Sequence, residues 1–490
     1  MDISTYLKGK LKENNLQIED LIARSSASKS TIYRVLTGAQ KPSSKLEEDI
    51  ISILNLNYTE QQELHYYFSI SDVDNNIIEA REAVYDFLFK KETHPLHRIE
   101  LVYYDEEKYI RTYENILENV RGASKEANFT CQFQLINCIQ NHIITPLAYL
   151  AADLLASNSS YSIEHLINFS THDYKDNINT LANIIPLLTL ENYSLEYREE
   201  ENVSKSGFFH DCLILHYSYD NKEGNTEKVS LFVTFLPDSL SSCYVINEHN
   251  KSLLDFFGRN YDSLKEKYKP ALSSRKSLAE YLDTIIELFQ KNDSVLFRSG
   301  PALCRIPSAV YRSVVERTPV EDFVEFFIEE KYKEKNLETH IEELLDQAKL
   351  VEESTRINKQ LDVYTKSGMA EFASSGLIKD HLEFLPAFSK EEVKTVLESI
   401  KSRDQDPEDP FNFVILKGSY ANEELSLSAE DNHCLLFEKY VDSHTPFCMI
   451  NHEKLSTLFT DFAYNYVPAM ISIPQSEAHE YIDYLIGKYC

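Results

Sequence analysis

The 490-residue chain contains no tryptophan, and only four methionines, eleven glycines and fifteen prolines. So little glycine and proline excludes a collagen-like or low-complexity chain. With 43% hydrophobic residues, the chain can bury a sizeable core and is not expected to be disordered. No apolar run reaches about 18 residues, so no transmembrane helix is expected. The opening stretch MDISTYLKGKLKENN lacks the apolar segment of a secretion signal, and a cytoplasmic protein is expected. The eight cysteines (131, 138, 212, 243, 304, 434, 448 and 490) form no C-x-x-C pair, which favours free, mostly buried thiols over a disulfide framework. Absence of tryptophan with abundant Asn, Ile, Lys and Tyr suggests the composition of an AT-rich bacterial genome.

Familiar catalytic signatures are missing too. The sequence has no G-x-x-x-x-G-K-[ST], G-x-G-x-x-G, H-E-x-x-H or G-x-S-x-G. His94 and His97 stand three apart, but Pro95 lies between them and no further ligand is near, so no metal site is expected there. Asp404 to Pro410 resembles a calcium loop only superficially: the sharp-turn glycine and the acid at position twelve are both missing, and the run reads as a solvated linker. No catalytic residue, metal or cofactor is therefore assigned.

What is present is an uneven charge distribution. The formal net charge is −30. Residues 1–46 nevertheless hold eight Lys/Arg against four Asp/Glu, a balance of +4, so the remainder carries −34. A cationic head on an anionic body binds polyanions weakly at long range and must be aimed by specific contacts.

The head has the periodicity of five short helices. Tyr6, Leu7 and Leu11 mark the first, and Ile18, Leu21 and Ile22 the second. Ser25-Ser26-Ala27 makes a tight connection, Ser28 is a good N-cap, and a third helix runs from Lys29 to about Thr37 before Gly38. Leu46, Ile50, Ile51 and Leu54 mark a fourth helix, roughly 45–55, and Leu64, Tyr67 and Phe68 a fifth over 59–68. Leu21, then Ser28-Lys29-Ser30-Thr31-Ile32, then Gly38-Ala39-Gln40-Lys41-Pro42 follow one another at the spacing of a known pattern without a gap. On these residues the first seventy or so positions resemble the Cro/repressor (XRE) family of helix-turn-helix regulators. Ser26 stands where the family has its turn glycine, and Leu36 where it usually has glutamate.

The resemblance implies double-stranded DNA as partner, with the third helix in the major groove and a symmetric dimer on two half-sites. Lys29, Ser30, Thr31 and Arg34 are then the base-reading candidates, since Lys and Arg reach guanine O6/N7 and Ser or Thr serves either edge. Gln17, Ser28 and Lys41 are candidates for phosphate contacts. Ile32 and Val35 are expected to pack inward on Leu21 and Leu7.

Beyond residue 70, a helical linker region is expected over 71–124, including a helix at Ile77–Phe89. Strand-like runs follow at 129–136, 212–218, 229–235, 413–416 and 434–437, separated by helical segments at 143–156, 177–189, 277–290, 320–332, 338–360 and 390–401. The fold class expected is α+β and multidomain: a five-helix head followed by a mixed α/β sensor body. Asp238-Ser239 … Tyr244-Val245-Ile246-Asn247 and Asp442-Ser443 … Cys448-Met449-Ile450-Asn451 align without a gap. Each follows a strand-like run and precedes an aromatic-rich helix, and upstream the runs at 212–218 and 413–416 also correspond, so two copies of one module are expected, at 125–265 and 365–490, joined by a helical connector at 266–364. Chance likeness of two strand–turn–helix units is the plainer alternative. Duplicated modules would pack about a pseudo-twofold axis, with an effector cleft at their junction. Ile341, Leu344, Ala348 and Val351 form a stripe that suits a core-facing helix better than a dimer seam.

The expectation is a sequence-specific DNA-binding transcriptional regulator with an acidic sensing and oligomerising body, acting as a homodimer, answering to an unknown small-molecule, peptide or protein effector, and without membrane contact. A protein-interaction or peptide-signal switch, or an enzyme with a DNA-targeting head, are the alternatives. Nothing in the sequence names the operator or the effector.

Overall fold

Several helices start where a side chain can satisfy the orphaned backbone N–H groups of a first turn. Ser28 Oγ accepts from the Thr31 N–H (3.2 Å), Ser43 Oγ from Leu46 (3.3 Å) and Thr365 Oγ1 from Gly368 (3.0 Å). Ser389 and Glu392 complete a reciprocal capping box. These starts belong to a computed structural model that describes residues 3–14, 16–37, 40–69, 75–89, 104–157, 159–188, 190, 192–200, 211–235, 243–246, 251–273, 286–288, 290–319, 337–378, 385–439 and 447–490. The fold is α+β, with two mixed sheets among many helices.

The head holds α1 (Ile3–Glu13), α2 (Ile18–Arg24), α3 (Lys29–Leu36), α4 (Ser44–Ile53) and α5 (Tyr58–Ser69). Their apolar faces close one core around Leu7, Leu21, Ile32, Val35, Ile50 and Leu64, each no more than 1% exposed. Leu36 is also a core residue.

Next come α6 (Asn75–Phe89) and α7 (Tyr104–Ala123). The region expected to be a linker is in fact core: Ala80, Val84, Leu88, Tyr113 and Val120 are buried among residues of both sheets. The His94–His97 pair lies outside the described residues.

The first sheet is built from β1 (Ala127–Ile136), α8 (Asn141–Ala156), β2 (Ser160–Ser170), α9 (Tyr174–Leu188), β3 (Tyr193–Glu200), β4 (Asp211–Asp220), β5 (Thr226–Phe235) and β6 (Cys243–Ile246), followed by α10 (Lys251–Lys265). Its strand order is β6-β5-β4-β1-β2-β3, with β1, β2 and β3 parallel and β4, β5 and β6 antiparallel. Both faces of its central strands carry buried residues, while the far ends of β4 and β5 are partly or fully exposed. Phe133, Leu135, Leu213 and Leu215 share a core with residues of α7, α8 and α9, whereas Ile136, Cys212, Ile214 and Phe232 share one with α10. Alternate residues on one strand point to opposite faces, so these strands are apolar on both.

The short strands β7 (Lys269–Pro270) and β8 (Leu272–Ser273) lie on one stretch of chain. β7 pairs with β3 and β8 with β14 (Phe447–Ile450), so the same stretch joins the edges of the two sheets.

The second sheet contains β9 (Ser294–Phe297), β10 (Gln360–Thr365), β11 (Phe411–Leu416), β12 (Leu425–Glu430), β13 (Cys434–Lys439) and β14, in the order β11-β10-β9-β12-β13-β14. Between β9 and β10 run α11 (Ser308–Arg317) and α12 (Leu337–Ser354); between β10 and β11 run α13 (Lys366–Ser375) and α14 (Lys390–Gln405). After β14 come α15 (Glu453–Asp461), a π-helical segment (Phe462–Ile471) and α16 (Gln475–Tyr489). β9, β10 and β11 are parallel, and β12, β13 and β14 antiparallel. Strand for strand, this is the order and sense of the first sheet.

The shared topology corrects three expectations. The second copy starts at β9, not at 365, and the stretch 266–364 is not a helical connector, because it contributes β9 and most of β10. Run 413–416 lies in β11, the counterpart of β3; the counterpart of 212–218 is β12. The cause is a buried polar row that hides these strands. Ser294, Gln360 and Asp362 are at most 2% exposed. Arg305 forks onto Asp362 (2.6 and 2.8 Å) and also donates to Gln360 Oε1. The halves of the aligned repeat at Asp238-Ser239, Asn247 and Asp442-Ser443 lie outside the described residues, as do the expected helix 320–332 and most of 277–290.

The copies are not related by a twofold arrangement of equivalent faces. In the first, the crossover helices α8 and α9 face the shared core; in the second, α15 faces it, while α11, α13 and α14 form a separate core on the far side. Their junction is filled: His452 packs against the rings of Phe169 (5.4 Å) and Tyr197 (6.3 Å), and Tyr197 donates to the Asn451 carbonyl. The 338–360 expectation splits into α12 and the start of β10. The stripe on α12 faces the second core, with Ile341 and Ala348 against it and Val351 buried. Of the run Asp404 to Pro410, Gln405 to Glu408 are exposed as expected of a solvated linker, but its ends are anchored. Asp409 pairs bidentately with Arg403 (2.8 and 3.0 Å), and Asp404 accepts from Phe413 N–H (3.1 Å) and Gln475 (2.8 Å).

Candidate nucleic-acid interface

Short side chains and one distant carboxylate set the α2–α3 turn. Ser25 N–H closes on Leu21 O (3.0 Å), and both the N–H and the hydroxyl of Ser26 donate to Asp49 Oδ2 (2.7 and 2.6 Å), tying the turn to α4. These bonds hold the Asp49 carboxyl below its ordinary range. Ser26 avoids the left-handed backbone that a glycine would allow: the described non-glycine residues with positive φ are Asn55, Asn128, Asn137, Cys138 and Asn432. At the start of α2, Asp20 accepts the Gln17 N–H (2.8 Å).

With Ile32, Val35 and Leu36 inward, the outer face of α3 is fixed by its helical period. It presents Lys29, Ser30, Tyr33, Arg34 and, just beyond its end, Thr37, all exposed in the whole chain with the body attached. Lys29 Nζ stands 5.9 Å over the Tyr33 ring. Among the described residues, neither Lys29 nor Arg34 has an acidic partner. By contrast, Lys10 is occupied by Glu13 (2.8 Å) and Glu60 (2.7 Å), and Arg24 lies 4.0 Å from Asp20.

The candidates fall into two groups. Lys29, Ser30 and Arg34 lie together on the open face. Thr31 is half-buried, and its hydroxyl is 2.9 Å from that of Ser28, so these two complete the cap rather than extending outward. Gln17 and Lys41 are exposed on either side, at the start of α2 and in the segment before α4. Gly38 and Ala39 lie outside the described residues. Tyr33, 40% exposed, is the face's one large aromatic and was not among the candidates; its spacing of four from Lys29 was the available signal.

The head is seated on the body away from α3. Tyr66 of α5 meets Tyr466 of the π-helical segment edge-on at 5.2 Å, and Ala469 and Met470 pack on the head core. Arg81 of α6, 4% exposed, donates to Asp461 (2.5 and 2.8 Å) and to Tyr66 Oη (3.4 Å). Among the described residues, no group of three or more His, Cys, Asp or Glu is placed to hold a metal, and no helix is long and apolar enough to cross a membrane. Compared with known protein families and with curated proteins, the chain finds no match in either set.

Proposed function

We propose that the chain is a sequence-specific DNA-binding transcriptional regulator of the cytoplasm. Its helix-turn-helix head places α3 in the major groove, and its acidic body senses a signal and supports a homodimer. The observation that carries this is the outer face of α3: Lys29, Ser30, Tyr33 and Arg34 are exposed together, the two cations have no acidic partner among the described residues, and the described contacts of the body with the head lie elsewhere. A helix of this width fits the major groove, where Lys or Arg can address guanine O6/N7 and phosphate contacts set the register. A plain solvated helix face would show the same exposure, and the test separates the two.

Selection of duplexes from a random pool by the full chain, in dilute salt, should enrich two half-sites one helical turn apart, about 10 base pairs centre to centre. Arg34→Ala should cost about 1–3 kcal/mol and relax preference at one position, whereas Lys41→Ala should weaken all sequences alike and lower the salt slope by about 1 per head. Failure to retain any duplex in dilute salt overturns the proposal.

A further inference from the structure

A cavity of about 150 Å³ lies where head and body meet. The pocket is partly open to solvent: Gln62 of α5 forms the head side, Val414, Pro468, Ala469, Ser472 and Ile473 line the body side, Pro468 and Lys417 are exposed, and Lys417 is the one charged residue on the wall among the described residues. Lys417 Nζ contacts a backbone carbonyl, Met470 O at 3.3 Å, and has no carboxylate partner among the described residues. Asp404, which the neighbouring Gln475 contacts at 2.8 Å, is itself paired with His479 at 2.7 Å. The wall is therefore mixed, apolar and polar in nearly equal parts, with one cation beside amide and hydroxyl groups, so a small ligand that pairs an apolar body with an anionic group suits it. A void of this size admits about one six-membered ring.

We propose that this cavity binds a small monocarboxylate, a single ring or short branched chain with one carboxyl group facing Lys417, and that its occupancy is linked to the seating of the head. The link is in the wall itself. Pro468 belongs to the π-helical segment, and Ser472, which follows it, donates to the Pro468 carbonyl (3.2 Å). The same segment holds Tyr66 through Tyr466, and Asp461 at its start holds Arg81. π-Helical turns are rare and concentrate at functional sites. A ligand that spreads or tightens this wall therefore acts on the contacts that carry the head. The DNA readout of this proposal rests on the regulatory function above; the binding itself does not.

The full chain is titrated with benzoate and with benzamide, its uncharged counterpart of the same shape, by calorimetry and ligand-observed NMR. Benzoate should bind at least about tenfold more tightly than benzamide. Lys417→Met should remove that preference and Lys417→Arg keep it, while Ala469→Phe, which fills the cavity, should abolish binding of both. Equal affinities, a preference that survives Lys417→Met, or no binding at about 10 mM overturns the site. With a selected duplex, benzoate should change DNA affinity by the same factor by which the duplex changes benzoate affinity; an unchanged DNA affinity overturns the link. Lys417-dependent benzoate binding by a chain that retains no duplex upholds the cavity and refutes the DNA-binding function. Duplex binding without benzoate binding does the reverse.

Discussion

Glu430 offers the sharpest physical test, because a carboxyl is held where a charge is costly. It sits on β12, is 1% exposed, and accepts a hydrogen bond from Ser428 Oγ (2.8 Å) through one oxygen. The other oxygen has no hydrogen-bond partner among the described residues. Burial pushes its pKa from 4.5 up to about 8, against the opposing pull of Ser428 and of the Arg305 guanidinium. Between those two pH values the folded chain keeps a proton that the unfolded chain has released. Folding stability therefore falls as pH rises through the window and levels off above about 8. The window is about 3.5 pH units wide, and at about 1.4 kcal/mol per unit the loss approaches about 5 kcal/mol, a large share of a typical domain's stability. Glu430→Gln keeps the shape and removes the titration. At pH 5 the variant should match the wild type or fall below it by about 1 kcal/mol, because the new NH2 needs a partner. By pH 8 it should be more stable by several kcal/mol. Urea unfolding followed by far-UV circular dichroism at pH 5, 6.5 and 8 measures the difference. A wild-type-to-variant gap that does not change with pH refutes the reasoning.

His165 should show the opposite slope. It is fully buried between the Asn137 carbonyl and Tyr193 Oη (3.0 Å), and burial pushes its pKa down to about 4. The unfolded chain takes up a proton first as pH falls, so stability drops between about 6.5 and 4, by about 3 kcal/mol. His165→Gln should flatten that limb in the same urea series, and an unchanged limb counts against it. Gly376 terminates α13 at φ +68°, where an added Cβ would meet the Phe388 carbonyl. Gly376→Ala should therefore lower stability by about 2 kcal/mol or more, and a variant that melts with the wild type contradicts the geometry. Arg81→Leu leaves Asp461 without its guanidinium, and should cost about 2–4 kcal/mol and speed proteolysis between head and body; unchanged cleavage would mean that the ion pair does not hold the head.

How much of this the sequence revealed depended on whether burial produces a period. Helices α1 to α5 each turn one apolar stripe inward, so Leu7, Leu21, Ile32 and Ile50 were identifiable as core by spacing alone. Strands β1, β4 and β5 were visible because they are long and rich in branched or aromatic residues. β9 and β10 were not, since Ser294, Gln360 and Asp362 put polar side chains into a buried sheet, and such a row reads as loop until Arg305 is seen to satisfy it. β2 was lost for a related reason: SYSIEHLINFS interleaves Glu164, His165 and Asn168 among apolar residues, and His165 is buried only because Asn137 and Tyr193 offer partners from other elements.

On the proposed regulatory function, the non-equivalent packing of the two copies sets where a signal would act. A twofold pair would present matching faces and a cleft on the axis, and the junction would be the natural effector site. Here the first copy offers its crossover helices and the second offers α15, and α6 runs between them with Phe87 against Phe437 (6.1 Å) and Phe459 (5.6 Å). Aromatic side chains fill that interface, so little can enter it without unpacking the core. Among the described residues, the second copy alone carries a π-helical segment after its last helix, and that segment meets the head together with Arg81 of α6. Topology was repeated, but the surface that holds the head arises where the repeat ends. On the proposed regulatory function, a signal bound near Pro468 and Ser472 would act directly on the segment that meets the head, whereas a signal at the junction would have to move two sheets.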